Sequence, residues 1–459
     1  MNAKGTPLEL GTAPIGKLLL KYAGPAIVAM TASSLYNIVD SIFIGHGVGP
    51  LALSALALAF PLMNLAAAFG SLVGVGGSTL LSVRLGQKDY ESANVILGNV
   101  LTLNLIIGLS FTVIFLLLLD PLLIFFGASD ETLPYARDFM RIILLGNVVT
   151  HMYLGLNNML RSSGFPQKAM KATIGTVLFT IVLNPIFIFL LGWGIKGSAL
   201  ATIISQVIML QWQFRFFTRK DNFLRISREK MRLRGRLVRE AISIGLAPFF
   251  MNAAACVIVI LINQGLKQGY GESGDMAIGA YGIVNRVVFI FVMIVMGLNQ
   301  GMQPIAGYNY GAQQYGRLIE VLKKTVFYAV IVTTVGFLLG QFFPATIASA
   351  FTDDADLIAL SVEGMHIVML FFPLVGFQMV ASNFFQSIGM AQKAIFLSLT
   401  RQLIFLIPCL LFLPMFVGKE GIWYSIPVAD AAAILISATM LFSQLRTFKK
   451  QIASETKKM

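Results

Sequence analysis

Apolar stretches of about 20 residues, each long enough to cross the hydrocarbon core of a bilayer, follow one another from Lys21 almost to the C-terminus. Within lipid such a stretch must bond its own backbone polar groups, so each reads as a transmembrane helix. Composition agrees: 57% of residues are hydrophobic and only 12% charged, against roughly 25% charged in ordinary globular chains. Spans are expected near 21–46, 53–82, 93–119, 136–160, 170–191 and 196–217, and again near 240–266, 277–306, 318–343, 360–387, 394–416 and 421–445. The fold class is therefore an all-α polytopic membrane protein of about twelve helices, six on each side of a polar connector. No short basic segment with a small-residue cleavage site opens the chain, so the first span is expected to stay in the membrane.

That first span, KYAGPAIVAMTASSLYNIVDSIFIGH from Lys21, carries one carboxylate, Asp40. A charge inside a span costs roughly 2.5–3.5 kcal/mol on insertion scales, so it usually faces a polar interior and marks a pathway. Ser33, Tyr36, Asn37 and Asp40 recur at helical spacing and form a narrow polar stripe. Pro25, lacking an N–H, is placed to bend the helix ahead of that stripe. The stripe reads as a protonatable site on a movable helix; the plainer alternative is a buried Asp bonded to a neighbouring helix.

The net charge of +13 is concentrated rather than spread. Arg219, Lys220, Arg225, Arg228, Lys230, Arg232, Arg234, Arg236 and Arg239 share one connector; Lys4, Lys17 and Lys21 lie near the N-terminus, and Arg446, Lys449, Lys450, Lys457 and Lys458 near the C-terminus. Short basic loops stay cytoplasmic, which places both termini and the connector inside, in a cytoplasmic membrane. The connector is then a topology signal and a contact for membrane lipid, with no nucleic-acid partner implied. Cys256 and Cys409 sit in apolar spans, and His46, His151 and His366 are far apart, so neither residue type forms a metal or redox motif.

The halves repeat. NNMLRSSGFPQKAM from Asn157 aligns without gaps on SNFFQSIGMAQKAI from Ser382, pairing Gly164 with Gly389 at an offset of 225 (389 − 164). The same offset pairs Gly86 with Gly311 and Tyr90 with Tyr315. Six helices between corresponding points give both copies one orientation. Two pseudo-symmetric six-helix bundles of this kind suit a carrier that alternates access between them.

These segments resemble multidrug and toxic compound extrusion (MATE) transporters over nearly the whole chain: VDSIFIGH from Val39, GQKDYESAN from Gly86, LNNMLRSSGFPQKAM from Leu156, GIKGSALATIISQ from Gly194 and NQGMQPIAGYNYGA from Asn299. The resemblance implies two six-helix lobes in a V. It also implies export of amphipathic, often cationic compounds, driven by inward movement of H+ or Na+, with no cofactor and with the carrier acting as a monomer. In the similar prokaryotic members an N-lobe network joins a first-helix Asp, a Tyr, an Asn and an Asp on the fifth helix, and a Thr on the sixth. Asp40, Tyr36 and Thr202 match; Thr180 stands where the family often has Asn, and Asn184 where many relatives have Asp. A lone carboxylate suits one exchangeable proton. Sodium needs more oxygens, which Asn184, Thr180 and Thr202 supply in part.

Polar groups in other spans, Asn64, His151, Asn157, Gln206, Asn252, Asn285 and Gln378, together with Asn37, are candidates for an adaptable substrate cavity, although such residues also glue helices together. Asp430 either joins that cavity or pairs with Arg401, and Arg286 on the eighth span needs a partner or water. Gly74, Gly76, Gly77 and Gly301 read as sites of close helix packing or bending. A lipid-linked saccharide flippase shares the two-lobe plan but calls for a strongly charged cavity. A membrane enzyme acting on lipid would need a catalytic cluster that the sequence does not offer.

Overall fold

The computed structural model describes residues 8–219 and 222–456, apart from the side chains of residues 37, 38, 455 and 456. Among the described residues there is no strand. We label the long helices α1 (Ile15–Gly47), α2 (Pro50–Gly86), α3 (Tyr90–Leu117), α4 (Leu133–Leu145 with Asn147–Ser162), α5 (Pro166–Leu190) and α6 (Gly194–Thr218). The second series is α7 (Gly235–Tyr270), α8 (Gly274–Gly311), α9 (Tyr315–Phe342), α10 (Ala355–Val368 with Phe372–Ser387), α11 (391–417) and α12 (Gly421–Thr456). Every expected span is helical, those near 136–160 and 360–387 as bent pairs of helices, and most run several residues past the apolar window, because helices continue beyond the hydrocarbon core.

The repeat is visible in backbone geometry. α3 and α9 start and end at the same offset, Tyr90 to Tyr315 and Leu117 to Phe342. α4 bends by 53° at Gly146, and α10 by 54° at the corresponding point. Among the described residues the non-glycine positions with left-handed backbone are Lys88 (φ 59°) and Gln313 (φ 58°), again 225 apart (313 − 88). Gly164 (φ 96°) and Gly389 (φ 76°) repeat the pairing at the turns after α4 and α10, where a left-handed turn favours glycine.

Contacts divide the chain into two compact units, and the division falls inside two helices. Residues 28–252 cluster in one unit. Residues 13–27 cluster with 253–456 in the other, so the first half of α1 belongs with the later helices and the first half of α7 with the earlier ones. Glycine makes this packing possible. In the first unit a Cβ on Gly76 would overlap the Ala241 carbonyl, and one on Gly245 the Leu72 carbonyl. In the second unit a Cβ on Gly301 or Gly297 would overlap the backbone of Ala23 or Ile27. Close backbone approach without side chains is how helices gain van der Waals contact where lipid supplies no hydrophobic drive. Pro25 lies inside an unbroken α1, two residues before that helix passes from one unit to the other.

Candidate functional site

Three helices of the first unit bring polar groups together. Tyr36 and Asp40 stand one turn apart on α1, Thr180 and Asn184 one turn apart on α5, and Ser198, Thr202 and Gln206 follow at successive turns of α6. The Asp40 carboxylate is 8% exposed, and its Oδ1 accepts from Asn184 Nδ2 at 2.6 Å and from Ser198 Oγ at 2.7 Å. These are the short bonds expected when the acceptor is charged. A turn away, the Tyr36 and Thr202 hydroxyls are bonded at 2.9 Å. The α6 stripe continues to Gln206, whose Oε1 accepts from Thr150 of α4 at 2.6 Å.

Local sequence explains the placement of Asn184. Pro185 has no N–H to give the helix, and the backbone widens into a π-type turn over Ile186–Leu190, with Leu191 N–H reaching Ile186 O at 2.9 Å. Asn184 sits on the last regular turn before this widening, fully buried; its Oδ1 has no partner. Ile44, Ile188 and Ile195, each within one turn of a site residue along its helix, belong to one buried apolar cluster.

The site differs from the expected one in two members. Ser198 is a direct partner of Asp40 that sequence reasoning did not single out; its only signal was its position one turn before Thr202. Thr180 is not a partner: its hydroxyl donates to Thr176 O at 2.8 Å, the usual way a helical Thr satisfies itself.

The wider set of cavity candidates is spread over several helices of both units. His151 is fully buried, with Nε2 2.9 Å from Ala66 O, and Asn157 Nδ2 donates to Thr173 Oγ1 at 2.9 Å, so both bond between or along helices. Asn252 reaches Ser71 Oγ at 3.4 Å, Asn64 is half-buried, and Gln378 is buried on α10. Asn285 and Arg286 are exposed on α8 of the second unit. The Asn37 side chain lies outside the described residues.

Asp430 takes the ion-pair alternative. Arg401, on a π-type turn of α11, donates through Nε to Asp430 Oδ1 at 2.7 Å, with the two side chains 31% and 6% exposed. Among the described residues the second unit holds no copy of the Asp40 site. At the repeat offset Asp40, Asn184 and Ser198 become Gly265, Cys409 and Trp423, and Trp423 is buried with its Nε1 on Tyr270 Oη at 3.0 Å.

The MatE family model matches residues 25–186 and 268–411, the larger part of the chain. This chain belongs to the MATE family. The Staphylococcus haemolyticus multidrug export protein MepA is 27% identical over 94% of both chains, and MepA of a Staphylococcus aureus strain 24% identical over the same shares. Among solved structures, a complex of the MATE multidrug transporter DinF-BH is 36% identical, covers 95% of this chain and 98% of its own, and superposes with a TM-score of 0.88. A MATE crystal structure in a bent conformation, 24% identical, shares the fold at a TM-score of 0.91. The chain is thus a multi-pass membrane transporter of the MATE multidrug-efflux type, and not an enzyme.

Proposed function

We propose that this MATE transporter exports amphipathic and cationic compounds in exchange for protons entering through Asp40. The observation that carries the reading is the Asp40 carboxylate held by Asn184 and Ser198, a cluster with a single acid. Burial disfavours the charge while two donors favour it, an opposition that suits a group that takes up and releases a proton. When Asp40 is protonated the buried charge disappears and the reason for both donors to point at Oδ1 weakens. α1, α5 and α6 are then free to shift, and the six-helix lobes 1–217 and 240–446 alternate access as a monomer in the cytoplasmic membrane, with both termini, the 218–239 connector and the 447–459 tail inside.

Sodium is the second reading, favoured by the unpartnered oxygen of Asn184 beside Asp40. Asp40, Asn184 and the hydroxyl of Ser198 would supply its ligands. Against it, Asn184 turns its amide nitrogen toward the carboxylate, so an ion bridging the two residues requires the amide to flip.

The deciding experiment is transport of an ethidium-like cation in proteoliposomes, with pH and sodium jumps imposed separately. Uphill dye movement under the pH jump alone supports proton exchange. Movement under sodium alone moves the assignment to the second reading, and movement under neither overturns both.

A further inference from the structure

We infer that the basic connector is a pre-organised docking surface for anionic phospholipid headgroups, its backbone pinned to α3 so that its arginines stand in fixed positions. The pinning is extensive. Asn94 of α3 bonds the connector on both sides of its amide: Nδ2 donates to Phe223 O at 3.0 Å, and Oδ1 accepts from Arg225 N–H at 2.9 Å. Two turns along, Thr102 Oγ1 donates to Met231 O at 2.9 Å. Asn99, its amide oriented to match its neighbours, donates to Arg232 O at 2.8 Å and accepts from Arg234 N–H at 3.3 Å. Gly98 lets the Lys230 peptide lie against the helix, where a Cβ would overlap its carbonyl. Leu224 and Leu237 are buried, and the Phe223 ring meets Tyr90 edge-on at 6.5 Å.

A plain topology signal needs none of this, since positive charge retains a loop whatever the loop's conformation. The repeat makes the point within one molecule. At the same offset Asn94, Gly98, Asn99 and Thr102 become Ile319, Lys323, Lys324 and Phe327 in α9, which cannot build such a strap. The amides are therefore peculiar to the helix that carries the connector.

What the strap and the first turns of α7 display is guanidinium. Arg225, Arg228, Arg232, Arg234, Arg236 and Arg239 are exposed. Arg234 pairs with Glu91 at 3.2 Å and Arg236 with Glu240 at 3.1 Å. Arg225, Arg228, Arg232 and Arg239 have no acidic partner among the described residues. A planar fork matches phosphate with two parallel hydrogen bonds, and fixing the backbone removes part of the ordering cost of binding. The connector joins two spans, so the phosphate source at hand is the anionic leaflet it borders. This inference rests on the cytoplasmic membrane placement proposed above.

The test compares phosphatidylglycerol with phosphatidylcholine retained by the purified full-length transporter, counted by native mass spectrometry, alongside dye export in phosphatidylcholine vesicles. The wild type is expected to prefer the anionic lipid by on the order of tenfold. Combining Arg225→Gln, Arg228→Gln, Arg232→Gln and Arg239→Gln should remove most of that preference while dye export persists. Asn99→Leu with Thr102→Val keeps every arginine and loosens the strap, and should lower the preference by a smaller factor. Full preference in the arginine variant overturns the surface. Full preference in the strap variant overturns the pre-organisation. Inorganic phosphate or a short DNA duplex displacing the lipid at equal concentration would also overturn the assignment to a membrane surface. Loss of dye export in the wild type itself is a failure of the efflux reading and leaves lipid counts to be judged separately.

Discussion

Ser198 of α6 donates to the carboxylate of Asp40 on α1 at 2.7 Å, across 158 residues of sequence. The bond gives the central acid a partner on the helix that also carries Thr202 and Gln206. Anything that changes the charge of Asp40 is therefore felt on α6, and through Gln206 and Thr150 on the bent α4.

Asp40→Asn should insert and fold but lose uphill export, because Asn cannot carry a proton between the two faces. Dye accumulation under a pH jump should fall to the passive level while dye still equilibrates down its gradient. An accumulation ratio like that of the wild type would remove Asp40 from the coupling role.

Ser198→Ala and Asn184→Ala each remove one donor to the same oxygen. Hydrogen bonds to a charged group contribute about 1.5–3 kcal/mol, so each change should slow export by roughly tenfold or more. Because both donors serve one acceptor, the double variant should lose less than the product of the single losses. Strict multiplicativity in a transport-rate cycle would show the two bonds to be independent.

Asn184→Asp places a second carboxylate against Asp40. Two acids at that separation must share a proton or hold a cation. The expected result is sodium-stimulated dye export absent from the wild type, read by a sodium jump at constant pH.

Asp430→Ala strands the Arg401 charge inside the second unit. Breaking a wholly buried pair costs about 3–5 kcal/mol; Arg401 is 31% exposed, so a smaller loss is expected, visible as a lowered unfolding temperature in detergent. Arg401→Met combined with Asp430→Leu should recover most of it.

Outside the bilayer, Asp89 caps α3 by accepting from Ser92 N–H at 3.0 Å. Partial burial raises its carboxyl, but the bonds from Ser92 and the charges of Arg84 and Arg234 outweigh that and hold it below the usual carboxylate range. A depressed folded value means stability that is present above the unfolded value, about 3.9, and lost as pH falls through the folded one. Asp89→Ala should cost about 1 kcal/mol at neutral pH and Asp89→Asn much less, with the difference from wild type shrinking only below about pH 4 in acid-melting curves.

The spans, the repeat and the acid at the centre were legible because each is a contrast: apolar against polar, one half against the other, one charge in a greasy helix. Ser198 was not, because a helical Ser ordinarily bonds its own backbone, as Thr180 does, and sequence cannot tell which of the two turns outward. The strap was hidden for a similar reason. The connector has no periodicity, and the residues that order it, Asn94, Asn99 and Thr102, lie more than 120 residues earlier within an apolar helix. His151 and Asn157, read as cavity candidates, each bond a neighbouring helix, a contact that apolar sequence around them could not announce.

The exchange of half-helices between the two units bears on how such a chain could arise. A single six-helix copy, left to itself, would have its first half-helix with nothing to lie against and a glycine groove on its second helix with nothing to fill it. Two copies trading those arms would complete each other as a swapped homodimer. Joining them end to end would turn that trade between molecules into one within a molecule and leave each half free to diverge, as Ser198 beside Asp40 in one half differs from the buried Trp423 at the matching place in the other.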